Sequence, residues 1–312
     1  MPVSGAVQSG PAIRAEGLTK YYGPIVGVEN LSFQVERGET YGFLGANGAG
    51  KTTTMRLLLD LLRPTAGRAT VLGVDCRRDS LKARRLIGYL PGELPVYPDL
   101  TAAGYLDYLA RLDARPVSEG YLRELFERFD VSGVDLGRRL RDQSHGMKQK
   151  IGIIQALMYQ PPVLILDEPT AGLDPLMVQA FRETIDALRK RGDTTVFLSS
   201  HVLAEVESMC ERIGLVRGGR MVATETMSVL RQRSRRTVSV HFDRPADVGG
   251  MLPAGVSVTR RSDLEWVLEV EGPLGPLVQT LAALPVRDLQ VAPFRLDSYI
   301  ASFYGVDVRD QP

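Results

Sequence analysis

The residues with the clearest chemistry lie in a glycine-rich stretch, which reads G-A-N-G-A-G-K-T at residues 45–52. Two glycines bracket four residues and are followed by Lys51 and the hydroxyl of Thr52, which is the pattern of a phosphate-binding loop. Glycines let backbone N–H groups turn toward an anion, and a helix that begins here adds the partial positive charge of its N-terminus. We expect Lys51 to reach the outer phosphates of a nucleotide and Thr52 to ligate Mg²⁺.

The sequence around this loop supplies the elements that would position it. Residues 40–44 predict a short buried strand, and residues 53–62 predict a helix without breakers. A strand, a glycine loop and a helix in this order are the context that a phosphate loop requires. The alternative, a glycine-rich turn that binds nothing, is therefore disfavoured.

A pair of acids follows a second predicted strand. Residues 163–166 are all apolar and lead directly into Asp167 and Glu168. Such a run is typical of a central parallel strand that delivers acids to its carboxyl end, where ligands bind in open α/β sheets. Buried acids need partners, so a functional role is favoured over a structural one. His201 follows another predicted strand, residues 194–199, and is a candidate contact to a terminal phosphate, although a lone histidine is usually structural.

The middle of the chain is predicted to be helical. Apolar residues at helical spacing over residues 101–129 indicate a helical insertion. A further helix is predicted from Ser144 to about residue 159, with Ser144 at the N-cap position. Taken alone, the Ser144-His145-Gly146 sequence is a weak signal and most often only a cap.

Composition limits the class of protein. The chain has 312 residues, of which 44% are hydrophobic, and its 38 basic residues balance 37 acidic ones. This near-neutral charge gives no sign of nucleic-acid binding. Cys76 and Cys210 have no metal-ligand spacing and indicate buried thiols in a reducing, cytoplasmic compartment. No leader or bilayer-spanning run is found, so a role at a membrane would come through a partner.

The chain is expected to contain two folded domains. Residues 13–22 and 26–36 predict strands that lead into the phosphate loop, and residues 213–216 and 220–222 predict a hairpin around Gly218 and Gly219. Apolar alternation at Val238 and Trp266 and helical spacing near Leu277 predict a small α+β domain at the end of the chain. We therefore assign residues 1–12 to a flexible tail, 13–225 to a nucleotide-binding domain, 226–236 to a basic linker and 237–312 to the α+β domain.

Together these motifs, in this order, resemble the ATP-binding subunits of ATP-binding-cassette (ABC) transporters, over residues 13 to about 224. The resemblance implies an α/β fold of the P-loop NTPase class, with a RecA-like core, an antiparallel β subdomain and a helical subdomain. The elements that carry it are Tyr22, the phosphate loop, the Pro91-Gly92-Glu93 loop, the signature at Ser144-His145-Gly146-Met147, the acid strand with Ala171-Gly172-Leu173-Asp174, and His201. The variant signature and the tail domain resemble the drug and antibiotic exporter branch, with ABC-2-type membrane partners.

The resemblance also implies a role for each motif. Glu168 would polarise the attacking water and His201 would hold the γ-phosphate, while Thr52 and Asp167 would hold Mg²⁺, Asp167 directly or through water. ATP would be bound by Tyr22, Gly45, Asn47, Gly48, Ala49, Gly50, Lys51, Thr52, Thr53, Ser144, Gly146 and Asp174. Two copies would close head to tail on two ATP molecules, so that Ser144 contacts the γ-phosphate held by the partner copy. The subunit would work at the cytoplasmic face of the plasma membrane, peripheral through its permease.

The sequence departs from the family pattern at three places. The family usually has Gln where this chain has Gly92, so Glu93 or the backbone would have to take over its contact. Gln143, His145 and Met147 replace three members of the Leu-Ser-Gly-Gly-Gln signature, and Ala171 replaces a usual Ser. Two alternatives stay open, an importer ATPase subunit and a soluble ABC ATPase of DNA repair or translation. The soluble class usually carries long coiled coils or a second cassette, and neither is seen here.

Overall fold

The computed structural model describes residues 10–94, 97–113, 115–233, 235–246 and 252–292. The chain divides into two compact units, Met1–Thr224 and Glu225–Pro312. Residues 1–9 of the predicted flexible tail lie outside the described residues, while Ala12 is buried and donates its N–H to the Val35 carbonyl. Within the part of the chain that the structure describes, no helix is both long and apolar enough to cross a membrane.

The strands, in chain order, are β1 (Ile13–Tyr22), β2 (Ile25–Val35), β3 (Thr40–Leu44), β4 (Ala66–Val71), β5 (Val74–Asp75), β6 (Ile87–Leu90), β7 (Val163–Asp167), β8 (Thr195–Ser200), β9 (Arg212–Arg217), β10 (Arg220–Thr226), β11 (Arg235–Phe242), β12 (Val256–Arg261), β13 (Glu265–Glu271) and β14 (Val286–Val291). The helices are α1 (Lys51–Leu58), α2 (Ser80–Arg85), α3 (Ala102–Asp113), α4 (Glu119–Arg128), α5 (Gly133–Gly137), α6 (His145–Leu157), α7 (Pro175–Arg191), α8 (Leu203–Met209), α9 (Met227–Arg233) and α10 (Gly275–Leu281). A short 3₁₀ turn, Leu140–Asp142, precedes α6.

The sheet that positions the predicted site runs in the order β10-β9-β3-β8-β7-β6. Its pairs β3-β8, β3-β9, β7-β8 and β6-β7 are parallel. Strands β3, β7 and β8 are buried along their whole length, which explains why their sequences are mostly apolar. The strand predicted at residues 40–44 is confirmed, and the hairpin β9-β10 turns at Gly218 and Gly219, whose φ angles are +55° and +78°.

A second sheet, in the order β2-β1-β4-β5, lies in the same unit and is antiparallel. Its apolar side joins the core around Phe33, whose ring stacks 5.5 Å from that of Phe197 in β8. The first unit is therefore a parallel sheet with helices, joined to an antiparallel sheet. This mixed architecture confirms the predicted α/β fold class.

Helix α1 is shorter than predicted at its end. The sequence predicts a helix over residues 53–62, whereas α1 begins at Lys51 and ends at Leu58. Asp60 adopts a left-handed φ of +52°, and the Leu61 N–H donates to the Arg56 carbonyl over 2.9 Å. This is the hydrogen-bonding pattern that ends a helix at a left-handed residue. Glycine is the usual residue at such a position, and its absence here leaves the sequence without a signal for the end of the helix.

The predicted helical insertion is divided in two. Helices α3 and α4 replace a continuous run over residues 101–129, and Ser118 caps α4 by accepting the Tyr121 N–H. Helix α6 begins as predicted, with the hydroxyl of Ser144 accepting the Met147 N–H. The signature sequence therefore forms the first turn of α6.

The second unit is a small sheet with a helix. Its antiparallel strands run in the order β12-β13-β11-β14. Val238, Val240, Trp266 and Leu268 form its core together with Leu277 and Leu281 of α10. Helix α9 and the first residues of β11 occupy residues 226–236, which the sequence assigns to a linker. Residues 293–312 of the predicted α+β domain, with the helical spacing of Leu296, Ile300 and Phe303 in the sequence, lie outside the described residues.

Candidate active site

A cleft of about 490 Å³ lies where the carboxyl ends of β3, β7 and β8 meet. These strands are neighbours in one parallel sheet, with Leu44 opposite Ser200 and Asp167 opposite Ser199. The loops that follow them therefore reach the same edge of the sheet. Among the predicted site residues, the cleft is lined by Tyr22, Asn47, Gly48, Gly50, Lys51, Thr52, Thr53, Asp167, Glu168 and His201.

The glycine loop has the backbone geometry of an anion cradle. Gly48 and Gly50 have φ angles of +78° and +105°, which favour glycine. A Cβ at Gly45 would lie 2.6 Å from the Val216 carbonyl oxygen, so the loop passes too close to β9 for a side chain. The Thr54 N–H donates to the Gly50 carbonyl over 2.9 Å. The N–H groups of the three preceding residues, 51–53, therefore belong to the open N-terminus of α1.

Lys51 links the loop to the acid strand. Its side chain is buried, its Nζ donates to the Gly45 carbonyl over 2.7 Å, and it lies 3.3 Å from Oε1 of Glu168. The ammonium group therefore lies within the curve of the loop, where anionic phosphates would meet a fixed positive charge. The structure brings Lys51 and Glu168 together as the motifs predict.

Asp167 is buried and both of its oxygens are hydrogen-bonded. Its Oδ2 accepts the Thr52 hydroxyl over 2.6 Å, and its Oδ1 accepts the Ser199 hydroxyl over 2.6 Å. Thr52 and Asp167 thus present a hydroxyl and a carboxylate oxygen side by side at the cleft. Hard oxygen ligands of this kind, shared with substrate phosphates, suit Mg²⁺. The residues present fit the ion that the sequence predicts.

Glu168 has an unusual backbone. Its φ angle is +50°, which costs a residue with a side chain about 1–3 kcal/mol and is found most often at functional sites. Its Oε2 lies 2.7 Å from Nδ1 of His201, while its Oε1 faces Lys51. The carboxylate is therefore held between an imidazole and an ammonium group at the mouth of the cleft.

Sequence reasoning missed Ser199. Its hydroxyl donates to Asp167 and also accepts the backbone N–H of Glu168 over 3.1 Å. This one buried side chain fixes both acids from the neighbouring strand β8. A signal was present, because Ser199 and Ser200 are hydroxyl residues at the end of an otherwise apolar strand.

Five predicted residues do not line the cleft. Ala49 accepts the Gly219 N–H over 3.0 Å and so ties the phosphate loop to the β9-β10 turn, while Gly45 packs beneath that loop. Ser144 is exposed and, with Gly146, forms the first turn of α6. Asp174 caps α7 by accepting the Met177 N–H over 2.9 Å. Within one copy of the chain, the signature turn and the cleft are therefore separate features.

Tyr22 and Gly92 stand at the sides of the cleft. Tyr22 is 42% exposed, and Nζ of Lys20 lies 5.4 Å from the centre of its ring. Gly92 lines the cleft, and a Cβ at this position would lie 3.5 Å from Oδ2 of Asp167. Glu93, the predicted substitute for the usual Gln, is exposed.

Comparison with known proteins identifies the family to which a chain with this site belongs. The model of the ABC transporter family matches residues 28–171. The bacitracin transport ATP-binding protein BcrA of Bacillus licheniformis is 35% identical over 226 residues, which are 72% of this chain and 72% of that protein. The chain belongs to the ABC transporter family. The linearmycin resistance ATP-binding protein LnrL of Bacillus subtilis (strain 168) is 37% identical, over 71% of each chain.

Solved structures agree with this assignment to the ABC transporter family. A structure described as the ATP-binding subunit of an ABC transporter superposes with a TM-score of 0.65 and 31% identity, covering 71% of this chain and 92% of that one. The bacterial ABC transporter cassette MJ0796, solved as a dimer, shares the fold with a TM-score of 0.63 at 21% identity, covering 69% of this chain and 98% of that one. The predicted family and fold class are confirmed. As a member of this family, the chain binds and hydrolyses ATP in a reaction coupled to transport.

Proposed function

We propose that the chain is the ATP-hydrolysing subunit that powers export of a drug-like or antibiotic small molecule through separate, ABC-2-type membrane subunits. The observation that carries the enzymatic part is the meeting of Lys51, Glu168 and His201 at the ends of adjacent strands. The export part is supported by relatives named for bacitracin transport and linearmycin resistance. We place the subunit at the cytoplasmic face of the plasma membrane, peripheral through these partners.

The residues of the cleft have different roles in phosphoryl transfer. The N–H groups at the start of α1 and the ammonium of Lys51 bind the phosphates, since phosphoryl transfer depends on positioning and charge stabilisation. Thr52 and Asp167 would hold Mg²⁺, which neutralises phosphate charge when bound. Glu168 accepts a proton from the attacking water, and His201 fixes both this carboxylate and the γ-phosphate. Tyr22 gives the adenine ring a surface on which to stack.

The signature turn acts in a second copy of the chain. Ser144 and Gly146 lie outside the cleft of their own copy, and Ser144 is exposed at the N-terminus of a 13-residue helix. A helix N-terminus of this kind favours a phosphate. In a head-to-tail dimer, Ser144 and Gly146 therefore meet the γ-phosphate held by the partner, with Asp174 beside them. Loss of that phosphate opens the dimer, which moves the membrane subunits.

The domain boundaries belong to the same proposal. We assign residues 13–225 to the ATPase domain, 226–236 to a connection and 237–312 to an accessory domain. The division into two compact units after Thr224 supports this assignment.

The test has a biochemical arm and a cellular arm. The purified full chain should hydrolyse ATP in the presence of Mg²⁺, and Lys51→Ala should remove ATP binding. In a susceptible bacterium, the chain expressed with its membrane subunits should raise tolerance to bacitracin or linearmycin, whereas Lys51→Ala should not. ATPase activity without protection or drug efflux would retain the enzyme and refute the exporter assignment. Uptake of a nutrient by the same complex would favour the importer alternative.

A further inference from the structure

Gln149 is a buried polar residue that the reaction scheme above does not use. It lies two residues beyond the signature, in the second turn of α6, and is 3% exposed. Its amide nitrogen donates to the Glu168 carbonyl over 3.2 Å and to the Pro169 carbonyl over 2.8 Å. A side chain of the signature helix therefore contacts the backbone of the proposed base in the same copy.

These two hydrogen bonds act where the backbone is strained. Successive carbonyls of an extended strand point in opposite directions. The carbonyls of Glu168 and Pro169 converge on one nitrogen, so the chain is no longer extended at Pro169, directly after Glu168 with its φ angle of +50°. Ser199 holds the N–H of Glu168 from the other side. The left-handed backbone of Glu168 is thus fixed at both its N–H and its carbonyl.

The first turn of α6 makes a second contact with the same loop. A Cβ at Gly146 would lie 2.7 Å from the Gly172 carbonyl oxygen, and a Cβ at Gly172 would overlap the ring of His145. Two successive turns of α6 therefore rest on residues 168–172. Because packing this close leaves no free space, a shift of α6 has to move the loop with it.

We propose that Gln149 is a positioning residue that fixes the position of the Glu168 carboxylate and couples it to the position of α6. This inference rests on the proposed function. Ser144 at the tip of α6 meets the ATP of the partner copy, while Glu168 serves the ATP of its own copy. Gln149 connects the two, so that hydrolysis at one site depends on occupancy of the other.

The test replaces Gln149 in the full chain. Gln149→Met keeps the length of the side chain and removes both donors. We expect kcat to fall about 10–100-fold, because small displacements of a catalytic group have effects of this size, while the Kd for ATP changes by less than about twofold. The Hill coefficient for ATP should fall toward one. Gln149→Asn, which is one methylene shorter, should lower kcat in the same direction.

Gln155→Met is the matched control. Gln155 lies on the same helix, and its amide bonds with the Tyr105 hydroxyl over 2.6 Å and the Tyr89 carbonyl over 3.5 Å, both away from the cleft. Its loss removes comparable hydrogen bonds from α6 without touching residues 168–172. We expect its kcat to stay within about twofold of the wild type.

A double-mutant cycle separates positioning from general damage. In a Glu168→Gln background the base is already lost, so Gln149→Met should change the residual rate by less than about twofold. Three results would each overturn the proposal. They are a fall in kcat by the same factor in the wild-type and Glu168→Gln backgrounds, an unchanged kcat for Gln149→Met alone, and a large loss of ATP affinity in Gln149→Met. Normal hydrolysis by Glu168→Gln alone would instead overturn the assignment of the base, and with it this inference.

Discussion

The Nδ1 atom of His201 lies 2.7 Å from the Oε2 atom of Glu168, across the ends of two neighbouring parallel strands. The other oxygen of this carboxylate faces Nζ of Lys51 at 3.3 Å. The carboxylate is therefore oriented by two cationic or polar partners from different segments of the chain. Its position depends on the sheet register as well as on its own loop.

Glu168→Gln should bind ATP and lose hydrolysis, because the amide keeps the shape of the side chain and loses its basic oxygen. Loss of a general base typically costs about 10²–10⁴ in rate. The measurement is the ATPase rate of the purified protein, together with nucleotide binding. Glu183→Gln is the control, since Glu183 is exposed on α7 and bonds only to Gln179 among the contacts that the structure describes for it. Near-normal turnover by Glu168→Gln would remove this residue from the role.

Gly92→Gln should lower the Mg²⁺ concentration that gives half-maximal ATPase activity. A Cβ at Gly92 meets Asp167 at an ordinary contact distance of 3.5 Å, so the side chain can enter, and an amide oxygen is a suitable Mg²⁺ ligand. The assay is a Mg²⁺ titration of the ATPase rate. Gly92→Leu, of similar size without the oxygen, is the control. An equal response of both variants would show that only bulk matters at this position.

The sequence predicts the central strands well because their signal is local. The strand Thr40–Leu44 is short and wholly buried, and it lies between Glu39 and the glycine loop, so the sequence on both sides marks its limits. The convergence of Lys51, Asp167 and Glu168 follows from parallel strands that end at one edge. Each strand and the motif at its end can be recognised within a few residues of sequence.

Contacts between distant segments could not be predicted in the same way. Ser199 and Gln149 act on the backbone of Glu168 from 31 and 19 residues away, and neither lies within the motifs that carry the family resemblance. The left-handed φ angle of Glu168 also has no signal in a residue type that rarely adopts it. Tertiary packing, which the local pattern does not contain, determines all three.

Cys76 and Cys210 should resist alkylation in the folded protein. Both are buried, and burial raises the pKa of the Cys76 thiol from 9.0 to about 12 and also raises that of Cys210. The thiolate is the reactive form, so iodoacetamide at about pH 8 should label neither residue until urea unfolds the chain. Mass spectrometry of the labelled protein is the measurement. Rapid labelling of either thiol in the native chain would contradict the packing described here.

The raised pKa values of the two thiols also predict how the stability of the protein depends on pH. A thiol whose pKa is raised by folding stabilises the protein fully below its unfolded value of 9.0, and this contribution is lost as the pH rises toward the folded value of about 12. Urea midpoints should therefore fall above about pH 9, and Cys76→Ala should reduce this slope. A slope unchanged by the substitution would exclude Cys76 as a contributor.

A chain that ends after Arg235 should still bind ATP. The core of the first unit is formed by residues between Ala12 and Val216, and the core of the second by residues between Val238 and Leu281. Every residue of the nucleotide cleft precedes the cut, so the Kd for ATP should change by less than about twofold. Circular dichroism checks that the shortened chain is folded. If it is folded and ATP affinity is lost, the proposed boundary is wrong.

The resemblance to ABC transporter subunits implies that the loop from Gly92 to Leu100 meets the membrane subunit, with Leu94, Val96, Tyr97 and Leu100 exposed. The structure exposes less of this loop than that. Tyr97 is 51% exposed, and its ring meets that of Tyr108 edge-on at 5.3 Å. Leu94 and Leu100 are half-buried, and Val96 lies outside the described residues. Leu94 is drawn inward because Gly152 of α6 has no side chain, which leaves room for its methyl groups. The exposed aromatic pair is therefore the better target for mutation.

Tyr97→Glu should leave ATP binding unchanged, since Tyr97 does not line the nucleotide cleft. It should weaken association with the membrane subunit, because an unpaired carboxylate buried in an interface is costly. The measurements are recovery of the co-expressed membrane subunit from detergent and its stimulation of ATP hydrolysis. Leu61→Glu is the matched control, since Leu61 is also exposed, at 53%, but lies beyond the end of α1. If Tyr97→Glu recovers the partner normally and stays fully stimulated, the docking surface lies elsewhere. If the wild type recovers no membrane subunit, the soluble ATPase alternative gains.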